Sequence, residues 1–190
     1  MLKELHFITN PFIEKIENTQ DLEIKKETVR KMLTEIYKSK KKWFDRSFFK
    51  KNIQDNSFNT LRLYLNKNNE YCLSIQGWGA GYITPIHNHD TWSSSITIDG
   101  IEIQNLCGTI SKPYPYKYQP KSIEQKTFYP GDTIELKGSE LHQVQNRTNQ
   151  MAISVVFFMK HPNTTNRVEV SPNDFSVIPW KINSNKLSTN

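Results

Sequence analysis

The chain has little of what marks a secreted, membrane-bound or nucleic-acid-binding protein. Of its 190 residues only two are cysteine, Cys72 and Cys107, and neither belongs to a Cys-x-x-Cys pair. That argues against a disulfide scaffold and for two buried free thiols. No apolar run is long enough to span a bilayer, and Met1 to His6 offers no signal-peptide core. A cytoplasmic protein with no membrane partner is therefore expected. The net charge is +6, but the lysines are spread along the chain. Their densest cluster, Lys38 to Lys42 with Arg46 nearby, falls where a helix should end, and cations there complement the helix dipole. The cluster reads as a solvated helix terminus, so no nucleic-acid partner is expected. Internal repeats and low-complexity tracts are absent as well.

What is present suits a single soluble domain: 36% hydrophobic and 12% aromatic residues over a length that supports one well-buried core. Residues 1–59 read as a helical segment packed on a β-barrel. Pro11 to Glu17 gives a short helix, Asp21 to Lys40 a longer one, and Trp43 to Lys51 a third. In the second, Val29, Met32, Leu33 and Ile36 recur at i, i+3, i+4 and i+7, which places them on one face. Residues 60–182 read as the barrel. Strands are expected near 61–65 and 70–76, joined by the polar turn Asn66 to Asn69. Others are expected near 83–89, 93–98, 101–107, 123–128, 133–137, 141–146 and 151–158, with a long loop from Pro113 to Pro120. Many brief strands without intervening helices argue for an antiparallel sandwich or barrel. Residues 183–190 form a polar tail that is expected to fray.

The informative pattern is His87-Asn88-His89 followed much later by His142. In a strand, residues two apart share a face, so both imidazoles of the pair can reach one point. His142 lies in Leu141-His142-Gln143-Val144-Gln145-Asn146, again strand-like, and can bring a third. One His-x-His pair alone would read as ordinary strand residues; a third histidine in a second block reverses that. His6 and His161 lack such support and read as surface or structural. Three imidazoles suit iron, zinc, copper or nickel, so the donors alone do not select the metal.

The surroundings form two blocks. The first runs from Gly77-Trp78-Gly79-Ala80-Gly81 through Thr84-Pro85-Ile86-His87-Asn88-His89 to Trp92; the second is Tyr129-Pro130-Gly131-Asp132, then His142 and Asn146. This layout resembles the cupin superfamily, which implies a mainly β fold: a small jelly-roll-like β-barrel with a metal inside and, here, an N-terminal layer of α-helices. The commoner cupin site adds a glutamate after its His-x-His, whereas this chain offers Thr91, Trp92, Ser93 and Ser94. A neutral ligand set leaves the metal its full charge and favours anionic ligands such as thiolates. Within cupins, Trp78-Gly79-x-Gly81, Thr84-Pro85-Ile86-His87-x-His89, Trp92 and Leu141-His142-x-Val144-x-Asn146 resemble the cysteine dioxygenase family of thiol dioxygenases. The form is similar to the bacterial mercaptocarboxylate-type branch.

That resemblance covers roughly Arg62 to Pro162. It implies non-haem Fe(II) held by His87, His89 and His142, and O2-dependent conversion of a small carboxylate-bearing thiol (cysteine or mercaptopropionate type) to its sulfinate. The implied partners are that thiol and O2, in a monomer or weak homo-oligomer. Arg62 looks like the family's carboxylate-binding arginine, and a planar guanidinium can hold a carboxylate through two parallel bonds. The family's Ser-x-His-x-Tyr arrangement is represented only by its serine, Ser154, expected to support the pocket. Val156 and Phe158 stand where histidine and tyrosine are usual. Ser94 occupies the position of the mammalian crosslink cysteine, and Asn88 replaces an aspartate expected to add charge near the ligands. Tyr64, Tyr82, Tyr129 and Trp92 read mostly as packing aromatics. Two further readings remain open: a cupin oxygenase of specialised metabolism acting on another substrate, and a non-catalytic metal-binding or sensing cupin.

Overall fold

A computed structural model describes residues 2–180 apart from 67, 69, 112–114 and 122. The expected tail at 183–190 lies outside the described residues, as do 181–182 and parts of the two expected loops.

The helical layer follows from apolar periodicity, with one difference. Helix α2 (Leu22–Lys38) begins at Asp21, whose side chain accepts from the backbone N–H groups of Glu23 and Ile24 at 2.8 and 3.0 Å. That bond satisfies two donors a helix start leaves free. Val29, Met32, Leu33 and Ile36 are fully buried, as the spacing predicts. Helix α1 (Leu2–Asn18), however, begins well before Pro11 and carries it inside. Proline costs an internal helix roughly 3 kcal/mol. Leu5 and Thr9 are buried on the same stripe as Ile13 and Ile16, and their burial offsets that cost. The short α3 (Lys40–Trp43) and α4 (Arg46–Asn52) complete the layer.

The basic cluster is only partly solvated. The Lys40 ammonium donates to the Ile98 carbonyl at 2.6 Å and, with Arg46, pairs with Asp99. These two cations pin the helical layer to a strand end. No helix among the described residues is long and apolar enough to cross a membrane.

Among the described residues eleven strands follow: β1 (Phe58–Leu65), β2 (Cys72–Trp78), β3 (Ile86–His87), β4 (Ser93–Asp99), β5 (Glu102–Thr109), β6 (Glu124–Phe128), β7 (Thr133–Leu136), β8 (Glu140–Gln145), β9 (Ala152–Phe158), β10 (Val168–Val170) and β11 (Val177–Pro179). They form a five-stranded sheet ordered β1-β2-β9-β4-β7 and a six-stranded sheet ordered β11-β10-β3-β8-β5-β6, antiparallel throughout. Within them, β2-β9-β4-β7 facing β3-β8-β5-β6 is the strand order of a jelly roll, the architecture of cupins. The last two strands were not expected, because three residues are too few to display an alternating pattern.

The five-stranded sheet buries one face against the helices. Leu73, Ile75, Ile96, Ile98, Ile153, Val155 and Phe157 pack with Leu5, Ile16, Met32, Leu33 and Ile36 in one continuous core. Its other face looks into the barrel. There β2, β9 and β4 present Ser74, Gln76, Val156, Phe158, Ser93 and Ser95 to a cavity. Small hydroxylic side chains cannot fill an eight-stranded barrel, and space for a ligand is left. Cys72 and Cys107 are free and buried, as expected.

Candidate metal centre

The histidines meet because of strand register. His87 on β3 is the direct cross-strand partner of His142 on β8, so both side chains leave the same face. Strand β3 ends at His87, and His89 reaches the cluster from the segment beyond it rather than from a continuous strand. Ring centroids lie 4.3 Å apart for His87–His142, 4.6 Å for His89–His142 and 5.4 Å for His87–His89. One nitrogen from each ring falls within 4.8 Å of the other two.

The segment holding His89 is fastened by Asn88. Its amide donates to the Gly138 carbonyl at 2.8 Å and its oxygen accepts from the Val168 N–H at 2.8 Å. An ionised aspartate accepts but cannot donate, so only the amide serves both partners. Asn88 is thus a clamp between the β7–β8 turn and β10. Close approach at that turn requires glycine: a Cβ on Gly138 would lie 2.7 Å from the Thr91 nitrogen. Thr165 adds a further tie, donating to the His89 carbonyl at 2.9 Å.

Electrostatics favour neutral imidazoles. Burial pushes His87 down to about 4, and holds His89 and His142 well below the ordinary histidine range, with mutual repulsion adding to the effect. The His87 Nδ1 lies 2.9 Å from the Pro85 carbonyl, which fixes the proton there and leaves Nε2 with a free lone pair. The His89 Nδ1 lies 2.8 Å from the Ser93 hydroxyl, and with Nδ1 donating the same follows. His142 Nδ1 is buried with no hydrogen-bond partner, a cost of roughly 1–3 kcal/mol. Three neutral donors, two of them oriented by a hydrogen bond, fit a divalent metal, and no aspartate or glutamate belongs to the cluster.

These rings line a cavity of about 420 Å³. Arg62 also lines it, from the edge strand β1 opposite Ser74, and is exposed at the wall rather than enclosed. Ser154 does not line it. Its hydroxyl donates to Glu102, which does. Ser94 alternates to the opposite face from Ser93 and Ser95, so the crosslink position expected there is turned away from the histidines. Phe158 stands edge-on to His89 at 5.0 Å. Val156 and Phe158 form an apolar wall with Cys72.

Sequence reading missed several cavity residues. Arg167 stacks on Trp180 at 4.3 Å, and that indole lies 4.9 Å from the His87 ring. Burial lowers the Arg167 guanidinium to about 10. Strand β10 is too short for its alternation to have signalled Arg167. His161, expected to be surface or structural, caps the 3-10 turn Pro162–Thr164 through its Nδ1 and also lines the cavity. Glu102 and Gln104 are buried while Ile103 between them is less so. Here the barrel inverts the usual alternation, because its inside is polar.

No protein-family model matches the chain, and neither does any curated protein sequence. Among solved structures it is similar to the cupin_2 domain of an XRE family transcriptional regulator from Enterobacter cloacae, at 12% identity over 53% of this chain and 94% of that one, with a TM-score of 0.42. It is also similar to a Cupin 2 conserved barrel domain protein from Salinispora arenicola, at 20% identity over 55% of this chain and 76% of that one, TM-score 0.41. A third is recombinant oxalate oxidase in complex with glycolate, at 16% identity over 60% of this chain and 56% of that one, TM-score 0.45. At these values the likenesses carry no argument of their own, and the jelly-roll assignment rests on strand order.

Proposed function

We propose that the protein is a mononuclear non-haem iron thiol dioxygenase, converting a carboxylate-bearing thiol and O2 to the corresponding sulfinate. The single observation that carries this reading is the convergence of three neutral histidines in a cavity that also holds two arginines and contributes no carboxylate to the cluster. A ligand set without negative charge favours an anionic substrate atom, and the arginines favour a substrate with a second negative group.

Bound at His87, His89 and His142, Fe(II) would supply the redox chemistry that joins a thiol to O2. Arg62, at the cavity wall, binds the substrate carboxylate. Arg167, braced by Trp180, adds positive potential beside His87. Val156 and Phe158 exclude water where the family places a hydrogen-bonding pair. His161 supplies a donor instead: its Nδ1 accepts from the Asn163 N–H at 3.1 Å, so the neutral ring carries its proton on Nε2. Ser154 acts one step away, by holding Glu102.

A cupin oxygenase acting on another carboxylate-bearing substrate is the second reading, favoured by Val156 and Phe158. The test is O2 consumption by the Fe(II)-loaded protein against a panel of thiols, with mass detection of sulfinate. A carboxylate thiol is expected to give one sulfinate per O2, and Arg62→Ala to weaken its apparent affinity. Tightly held stoichiometric zinc, with no O2 uptake for any thiol, would overturn the reading.

A further inference from the structure

The cavity has a second polar end that the proposed chemistry leaves unused. On β5, Glu102 lies four residues before Leu106, the cross-strand partner of His142. At a strand rise of about 3.3 Å per residue, that places it roughly 13 Å along the barrel from the histidines. Glu102 and Gln104 are both 3% exposed and both line the cavity. The Glu102 carboxyl accepts from Gln104 Nε2 at 2.5 Å and from the Ser154 hydroxyl. The Trp78 indole lies close to it, with its buried N–H making no bond of good geometry.

Two things are missing from this end. Among the described residues, no lysine or arginine is paired with Glu102, although burial of an unpaired carboxylate is costly. Gln104 Oε1 is buried with no donor. Beside them, Phe58, Trp78 and Tyr82 stack at centroid separations of 4.6 and 6.1 Å, and all three line the cavity.

We propose that Glu102, Gln104 and the Phe58–Trp78–Tyr82 stack form a subsite for an organic ammonium group. An ammonium brings three donors and one positive charge, which answers the carboxyl, the orphaned Gln104 oxygen and the aromatic faces together. A neutral hydroxyl brings one donor and no charge. The opposite end, with Arg62, Arg167 and the histidines, suits an anion, so the cavity is matched to an elongated ligand carrying opposite charges at its two ends. Burial raises the Glu102 carboxyl above the usual range, and a cation bound beside it would draw it down again.

The test uses metal-free protein, so that its failure is separate from failure of the dioxygenase reading. Calorimetric titration with n-butylammonium is compared with butan-1-ol at pH 7.5, for wild type and Glu102→Gln. Wild type should prefer the ammonium by about tenfold or more, and Glu102→Gln should lose that preference while retaining its melting temperature. In labelled wild type the titration midpoint of the Glu102 carboxyl carbon resonance should fall on adding butylammonium and stay fixed with butanol; this readout holds even if the variant misfolds. Equal binding of alcohol and ammonium by wild type, or an unmoved Glu102 titration midpoint at saturation, would overturn the proposal.

Discussion

Strand β9 shows two different uses of one element. Ile153, Val155 and Phe157 point to the helices and are fully buried in a continuous apolar core. Ser154, Val156 and Phe158 alternate to the barrel side, beside serines, buried carboxyl and amide groups, and three histidines. The helical face is filled, so its side chains stabilise the fold. The barrel face is under-filled by small polar side chains, so it leaves room for a ligand and forgoes part of the available packing. The same sheet separates stability from chemistry.

Phe157→Ala, on the filled face, should cost about 3–5 kcal/mol of unfolding free energy in a denaturant titration, because the cavity it leaves cannot collapse between sheet and helices. Metal binding by the molecules that remain folded should be unchanged.

The barrel face should respond to pH instead. The folded pKa of His87 is lowered to about 4 from an unfolded value of 6.5. The unfolded chain therefore takes up a proton that the folded chain refuses between those values, and stability falls as pH drops through that window. In metal-free protein, His87 alone should remove about 3 kcal/mol by pH 4. Thermal melts from pH 7.5 to 4 would detect it, and His87→Gln should flatten the slope.

Asn88→Asp should cost about 2–3 kcal/mol, by losing the bond to the Gly138 carbonyl and burying a carboxyl. Its melting temperature should fall while Asn88→Ser loses less. Smallest of all, Ser95→Ala should change stability by no more than about 0.5 kcal/mol, since its side chain faces the cavity. A large loss there would mean the barrel face carries more of the stability than its packing suggests.

The filled face was the legible one. Val29, Met32, Leu33 and Ile36 show helical spacing, and β9 reads as a buried strand from composition alone. The histidines were legible because an i, i+2 pair and a third histidine form a chemical pattern independent of burial. Illegible were residues whose roles depend on the barrel interior being polar. Glu102 and Gln104 have the alternation of solvent-facing residues, yet they are buried. Arg167 and His161 follow β9, and only the docking of β10 beside β3 brings that segment against the histidines. Arg62 was visible as a cation in a strand, but its exposure at the cavity wall was not. Pro11 misled because one lost helix bond was outweighed by burial upstream.

If the barrel face is built for chemistry, His87, His89 and His142 together hold one divalent metal. The direct measurement is anaerobic Fe(II) titration followed by X-ray absorption at the iron edge, on wild type and His142→Ala. One equivalent of iron with three imidazole nitrogens, and an affinity reduced by more than about 100-fold in His142→Ala, is the predicted result. Iron bound without imidazole, or bound equally well by His142→Ala, would contradict it.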